Sequence, residues 1–198
     1  MDAAYEFSFD WFSRNVPVWD LHVRPLGDAG PLHALEMGCF EGRASVWLLE
    51  NLLTDPASRI TVVDTFEGSP EIASETLDGL FDRFLRNVER TGRLNQVRIM
   101  RMTTVQALTS LISAESDRKF NLVYVDASHR ASDVLTDAVL ASQVLSPGGL
   151  LVFDDYLWSC CPSPLDRPKV AIDAFLEIFQ HSYEVLHKGY QVLLRKVG

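Results

Sequence analysis

The 198-residue sequence predicts an α/β fold, a single layered domain on a mostly parallel, seven-stranded sheet that ends in an antiparallel hairpin. Three observations carry this expectation. Five segments rich in β-formers alternate with helix-patterned segments, as in chains whose parallel strands are joined by crossovers. Within those five the apolar residues are contiguous more than alternating, which suits strands covered on both faces. Two last strand-like runs lie too close together for a crossover and so predict a hairpin.

Taken in order, the first strand is LHALEMG, 32–38, followed by a helix over 44–53. The second is RITVVDTF, 59–66. After it Leu77, Leu80, Phe81, Phe84, Leu85 and Val88 recur at three- and four-residue steps, which puts them on one helical face packed against the core. VRIMRM, 97–102, is the third strand and 103–113 a shorter helix. FNLVYVDAS, 120–128, is the fourth strand. The helix over 131–145 that follows is stopped by Ser146-Pro147-Gly148-Gly149. GGLLVFDDY, 148–156, gives the fifth strand, and a last helix runs over about 170–180. YEVLHK and YQVLLRK, around Gly189, form the hairpin. Residues 32–198 make the main domain, and 1–31 stand apart as an N-terminal helical arm or substrate cap. In that arm Phe7, Trp11 and Phe12 have steps suited to one helical face, while Pro17 and Pro25 bracket VWDLHVR.

Bulk properties narrow the function. With 47% apolar and 23% charged residues the chain is an ordinary globule of one domain. A net charge of -9 and a pI near 5.0 disfavour a non-specific grip on nucleic acid or on an anionic membrane. Cys39, Cys160 and Cys161 have neither metal-ligand spacing nor the even, dense pattern of a stapled secreted fold, which points to the reducing cytoplasm. The acidic, aromatic N-terminus does not resemble a secretory signal, and no apolar run approaches membrane-spanning length.

In an open α/β sheet ligands bind beyond the carboxyl ends of the strands. At the first such end, EMGCFEGRAS carries Gly38 and Gly42, which allow a tight turn and leave helix-start N–H groups facing outward. The full GxGxxG fingerprint is missing, which weighs against a nicotinamide dinucleotide. Glu36 precedes the turn, where it either binds a ligand amine or braces the loop. Asp64 ends the second strand, placed to accept both hydroxyls of a ribose, or else to cap a turn.

EMGCFEG, VVDTFEG, VYVDASH and VFDDY together resemble the motifs of class I S-adenosylmethionine-dependent methyltransferases, specifically the type called methyltransferase 24, over roughly 32–195. The resemblance implies a Rossmann-like domain with S-adenosyl-L-methionine as cofactor. Glu36 and Gly38 would then meet the methionine portion, with Phe40, Glu41 and Ser45 around the same cavity. Asp64 would hold the ribose, Thr65 and Phe66 would flank the nucleoside, and Met102 and Thr103 would lie beside the adenine. Cys39 stands where relatives often have serine.

Asp126 and Asp154 end adjacent strands, and Asp155 follows. Gathered carboxylates repel unless they are protonated, hydrogen-bonded or shared by a cation. An all-oxygen set suits Mg2+ or another hard divalent ion better than zinc. The bland alternative is that Asp126 caps the next helix while Asp154 or Asp155 satisfies loop amides. The pattern also resembles catechol-type and macrolide or aminocoumarin sugar O-methyltransferases, which implies that Asp126, Asp154 and Asp155 occupy metal positions and that Asp126 borders the cofactor as well. His129, at the loop-to-helix entrance, is the candidate general base beside Asp126, or else a capping histidine. In catechol-type relatives a lysine commonly stands at its position. Ala127 replaces a frequent glycine, and Ser128 supplies no carboxylate.

Tyr156 and Trp158 are expected to form an aromatic wall, with His22, Arg24, Arg130 and Arg167 receiving an acidic or hydroxylated acceptor. The expected reaction is methyl transfer to a hydroxyl of a small molecule or sugar, aided by a divalent ion or by His129. A homodimer is compatible with this reading, and neither nucleic acid nor membrane is an expected partner. The alternatives are a metal-independent methyltransferase, a nonenzymatic protein that binds the nucleoside cofactor and, more weakly supported, an NAD-dependent oxidoreductase.

Overall fold

The computed structural model describes residues 5–68, 74–114, 119–160 and 163–197; Cys161 lies outside them. Seven strands form one sheet: β1 (His33–Met37), β2 (Arg59–Val63), β3 (Val97–Met100), β4 (Phe120–Val125), β5 (Leu145–Phe153), β6 (Tyr183–Lys188) and β7 (Val192–Lys196). Their order is β3-β2-β1-β4-β5-β7-β6, with β1 to β5 parallel and β7 antiparallel to both of its neighbours. The expected seven-stranded Rossmann-like sheet with a terminal hairpin is therefore present.

The contiguous apolar runs have the anticipated cause. In β1, Leu35 and Met37 enter one core with Val123, Val125, Leu151 and Phe153, while Ala34 enters another with Ile60, Val62, Leu122 and Val152. Each fully buried Leu, Ile or Val contributes roughly 1.5–3 kcal/mol, so both faces need covering. Helices α5 (Thr104–Ser113), α6 (Ala131–Val144) and α7 (Pro168–Ile178) cover the first face, and α1 (Val16–His22), α2 (Arg43–Asn51) and α4 (Leu80–Arg90) cover the second. Among the described residues no helix is long and apolar enough to cross a membrane.

Two sequence expectations are corrected. Phe7, Trp11 and Phe12 do not share a helical face, because the chain before Ser13 is irregular. Its backbone partners come from other elements: Asn87 Oδ1 accepts from Glu6 N–H at 2.7 Å, and Glu41 Oε2 accepts from Ser8 N–H at 2.6 Å. The stripe from Leu77 to Val88 is also split. Leu77 ends the short α3 (Ser74–Leu77), and Gly79, left-handed at φ 65°, starts α4, which buries Leu80, Phe84 and Val88.

The five parallel strands stop at Met37, Val63, Met100, Val125 and Phe153, one to three residues earlier than their β-forming runs suggest. The remainders are the loops that line the functional cavity. Phe66 and Asp155 take positive φ values of 58° and 59° there, incompatible with a continuing strand.

Candidate functional site

A cavity of about 560 Å3 opens at the carboxyl ends of the parallel strands. Its lining includes Glu36, Gly38, Phe40, Glu41, Asp64, Thr65, Met102, Thr103, Asp126, His129, Asp154 and Asp155. All of the expected site residues except Ser45 and Phe66 thus reach one space. Ser45 is buried behind it and donates its hydroxyl to Glu36 Oε2 at 2.5 Å. Phe66 turns into the core against Phe81 and Phe84.

At the β1 end, Gly38 packs against the loop after β4. A Cβ on it would lie 2.0 Å from the Asp126 carbonyl oxygen. Glu36 is almost fully buried, and burial pushes its carboxyl up to about 8, against the lowering effect of the Ser45 hydrogen bond. Cys39 is buried as well, and burial beside Asp64 and Glu36 raises its thiol. Asp64 ties two loops together: Oδ2 accepts from the Cys39 and Phe40 amides, both at 2.9 Å, and Oδ1 accepts from Phe66 N–H at 2.7 Å. Oδ1 keeps acceptor capacity, and Asp64 lines the cavity. Thr103 lines the space and closes a capping box with Gln106 at the start of α5.

Glu41 has a role that the sequence did not disclose. Its carboxylate clamps the N-terminal arm, accepting from Ser8 N–H at 2.6 Å and Ser8 Oγ at 2.8 Å, and pairs with Arg83 Nε at 2.8 Å. Fully buried Asn87 bridges the same two segments, donating to the carbonyls of Glu6 and Glu41. The arm held this way contributes Phe7, Phe9, Trp11 and Phe12 to the lining.

The β4 and β5 ends bring the three aspartates together, as β4 and β5 pair in parallel with Val125 beside Phe153. Burial, then the charges of Asp154 and Asp155, hold the Asp126 carboxyl well above its usual range, and burial followed by Asp155 raises Asp154. Asp154 Oδ2 accepts from the Tyr124 hydroxyl and from Gln191 Nε2 at 2.9 Å, and its Oδ1 accepts from Asp155 N–H. Asp155 Oδ1 accepts from the Tyr190 hydroxyl at 2.8 Å, and its Oδ2 lies 2.8 Å from His129 Nε2. His129 stacks on Trp158 at 4.5 Å between ring centroids. Among the described residues no group of three or more His, Cys, Asp or Glu is drawn close enough to hold an ion. The donors are of the kind a hard cation takes, and their present partners are hydrogen-bond donors that spare further lone pairs.

Trp158 forms the expected aromatic wall, but Tyr156 does not. Tyr156 is buried away from the cavity, with its hydroxyl bonded to Asp173 and Lys169. His22, Arg24, Arg130 and Arg167 are likewise outside the lining; Arg24 pairs with Asp20, and Arg130 and Arg167 precede α6 and α7. The residues missed include Phe9, Arg14, Arg43, Tyr124, Tyr190 and Gln191. Tyr190 and Gln191 reach the site because β7 inserts between β5 and β6, and the only signal was a polar Gln191 directly before Val-Leu-Leu.

A family model described as a methyltransferase domain matches residues 35–156. Among solved structures, the O-methyltransferase TomG from Streptomyces achromogenes, involved in tomaymycin synthesis and in complex with S-adenosylmethionine, is 16% identical with a TM-score of 0.70, covering 96% of this chain and 82% of that one. The O-methyltransferase from Bacillus cereus, in complex with S-adenosylhomocysteine, is 17% identical with a TM-score of 0.68 over 97% of this chain and 84% of its own. MycE methyltransferase from the mycinamycin biosynthetic pathway, in complex with Mg, S-adenosylhomocysteine and mycinamycin VI, is 17% identical with a TM-score of 0.64; this chain is covered over 96% and MycE over 51%. At these identities the likeness is one of fold. No curated protein matches the sequence.

Proposed function

The chain belongs to the methyltransferase-domain family of class I S-adenosylmethionine-dependent enzymes, and from that premise we propose that it moves the sulfonium methyl group to a hydroxyl oxygen of a small molecule or sugar. One observation carries the acceptor half of this reading. The cavity that holds Glu36, Gly38, Asp64 and Met102 also holds His129 against Asp155, which supports a reading in which a hydroxyl base and a nucleoside cradle share one space.

In this reading Asp64 takes the ribose hydroxyls, Thr65 flanks the nucleoside, Met102 and Thr103 border the adenine, and Glu36, Gly38, Phe40 and Asp126 surround the methionine portion. Ser45 acts through Glu36, and Glu41 through the arm it clamps. The arm, within 1–31, serves as a wall over the substrate. When bound, the cofactor supplies an electrophilic methyl carbon, and the protein's task is to align the acceptor with it and to exclude water. His129 accepts the hydroxyl proton, with Asp155 fixing the orientation of the ring. No covalent intermediate with the protein is needed.

Asp126, Asp154 and Asp155 are the residues that would hold a divalent cation such as Mg2+. Half-buried and mutually repelling, they form a charge that such an ion would neutralise, and it would lower the pKa of an acceptor hydroxyl. The second reading is metal-independent transfer. The His129 to Asp155 contact favours it, since a carboxylate-oriented imidazole is a base in its own right. The acidic net charge and sparse cysteines support a cytoplasmic enzyme without nucleic-acid or membrane partners.

The test is transfer of labelled methyl from S-adenosylmethionine to a broad panel of hydroxylated compounds, with and without exhaustive chelation. Activity lost on chelation and restored by Mg2+ supports the metal; full activity after chelation supports the second reading. A folded protein that binds S-adenosylhomocysteine yet transfers to nothing would be a nonenzymatic cofactor binder.

A further inference from the structure

Among the described residues two arginines line the cavity, Arg14 and Arg43. Arg43 is fully engaged, with Asp10 at 3.3 Å, the Phe9 carbonyl at 3.2 Å and its guanidinium over the Phe7 ring. Arg14 differs. Its guanidinium lies 3.8 Å over the Tyr190 ring and assists that residue's hydroxyl, and among the described residues no carboxylate pairs with it. Arginine offers five N–H donors in a planar fork matched to a carboxylate, and one tyrosine uses few of them.

The placement indicates which end of the cavity this cation serves. Tyr190, on which Arg14 rests, donates to Asp155, and Asp155 contacts His129. Arg14 therefore belongs to the acceptor half. Two carboxylates of that half are engaged from within the protein: Asp154 by Tyr124 and Gln191, and Asp155 by Tyr190 and His129. Neither these two nor Asp126 forms an ion pair with Arg14. On the acidic surface of a chain with net charge -9, an anionic molecule gains little from the long-range field and needs a local cation.

We infer that Arg14 is a specificity-determining residue that receives an anionic group, a carboxylate in the first instance, on the hydroxylated acceptor. The inference rests on the proposed transfer reaction for its biological meaning but is measurable without turnover. The stacked Tyr190 ring holds the fork in place before binding, which limits the ordering cost of the contact.

The experiment uses the full chain saturated with S-adenosylhomocysteine and paired probes that differ by one carboxylate: 3,4-dihydroxybenzoate against 1,2-dihydroxybenzene, and a methyl glucuronide against a methyl glucoside. Calorimetry on wild type, Arg14→Gln and Arg14→Lys reads binding. KM and kcat are read for any probe that is methylated. Wild type is expected to bind an acidic member more tightly than its neutral partner. Arg14→Gln should weaken that acidic probe by about 10- to 100-fold, the scale of a lost charge-assisted pair, with the effect in KM rather than kcat. Arg14→Lys should restore part of it, and the neutral member should be unaffected.

Equal binding of acidic and neutral members by wild type, or an acidic probe indifferent to Arg14→Gln, overturns the inference. So does a tenfold loss of S-adenosylhomocysteine affinity in Arg14→Gln with 5′-methylthioadenosine unaffected, since that result gives Arg14 to the cofactor's own carboxylate. Arg14-dependent binding of an acidic probe, with no transfer to any compound of the hydroxylated panel, overturns the proposed reaction and leaves the inference standing. An unchanged thermal midpoint confirms that the exposed Arg14 substitution has not perturbed the fold.

Discussion

The Asp64 carboxylate holds the Phe40 amide at 2.9 Å and, through the same oxygen, the Cys39 amide at 2.9 Å, so the loop after β2 fixes the backbone of the loop after β1. A third amide, that of Phe66, is held by the other oxygen. Asp64→Ala leaves three N–H groups to find new partners. The expected cost is roughly 1–3 kcal/mol of stability, the scale for unsatisfied buried groups. S-adenosylhomocysteine binding should fall at least about tenfold, the equivalent of one hydrogen-bonded contact. Denaturant titration and calorimetry measure both, and wild-type affinity in the folded variant would remove Asp64 from the ribose assignment.

His129→Ala should separate chemistry from binding. A lost general base costs about 10²- to 10⁴-fold in turnover, whereas the residues assigned to the cofactor are untouched. The check is kcat on any accepted substrate beside the affinity for S-adenosylhomocysteine. If both fall together, His129 is part of the binding surface instead of the proton path.

Glu36 gives a pH signature. Burial raises its carboxyl from the ordinary 4.5 to about 8 in the folded protein, so between those values the folded state holds a proton that the unfolded chain has released. This contribution to stability is fully present below about pH 4.5 and is lost as pH rises through 8. Wild type should therefore lose stability across that window by a component absent from Glu36→Gln. Denaturant midpoints of both proteins between pH 5 and pH 9 test it, and identical slopes would count against a neutral Glu36.

Asn87 makes the arm testable. It is fully buried in α4 and bonds the backbone of Glu6 on both sides and the Glu41 carbonyl. Asn87→Ala should cost roughly 1–3 kcal/mol and release the segment around Ser8, raising its cleavage rate in limited proteolysis. Protection of that segment equal to wild type would mean that Glu41 and Arg43 hold it unaided.

Sheet, crossovers and the polarity of the hairpin were legible because runs such as FNLVYV and GGLLVF have a burial pattern set by local sequence. That Glu36, Gly38, Asp64, Met102 and Thr103 line one cavity was legible because strand ends fix them. Long-range contacts were not. Nothing near Glu41 in sequence announces Ser8, 33 residues away, and nothing near Asp154 announces Gln191, 37 residues away. The three rings at Phe7, Trp11 and Phe12 imitated a helical stripe because aromatic spacing alone does not reveal that the backbone is bonded elsewhere. Tyr156 looked like a wall residue because it follows Asp155, but the left-handed backbone of Asp155 ends the strand alternation that the expectation relied on.

Gly38 separates two reasons for a glycine. At φ 84° any L-residue is strained, and in addition a Cβ would stand 2.0 Å from the Asp126 carbonyl oxygen and 2.6 Å from Ala127 Cα, both backbone atoms that cannot swing aside. Gly148 has a similar φ of 75° with nothing within 4 Å of the added carbon. Gly148→Ala should therefore cost only the left-handed term, about 1–2 kcal/mol. Gly38→Ala adds a clash between two site loops and should cost roughly 1–3 kcal/mol more. It should also weaken S-adenosylhomocysteine binding, since β1 and β4 present their loops to the cavity only at this separation. Denaturation and calorimetry on the two variants decide it. Equal losses would mean that the loop after β4 yields freely, and the close approach of Gly38 to Asp126 would then have no part in shaping the site.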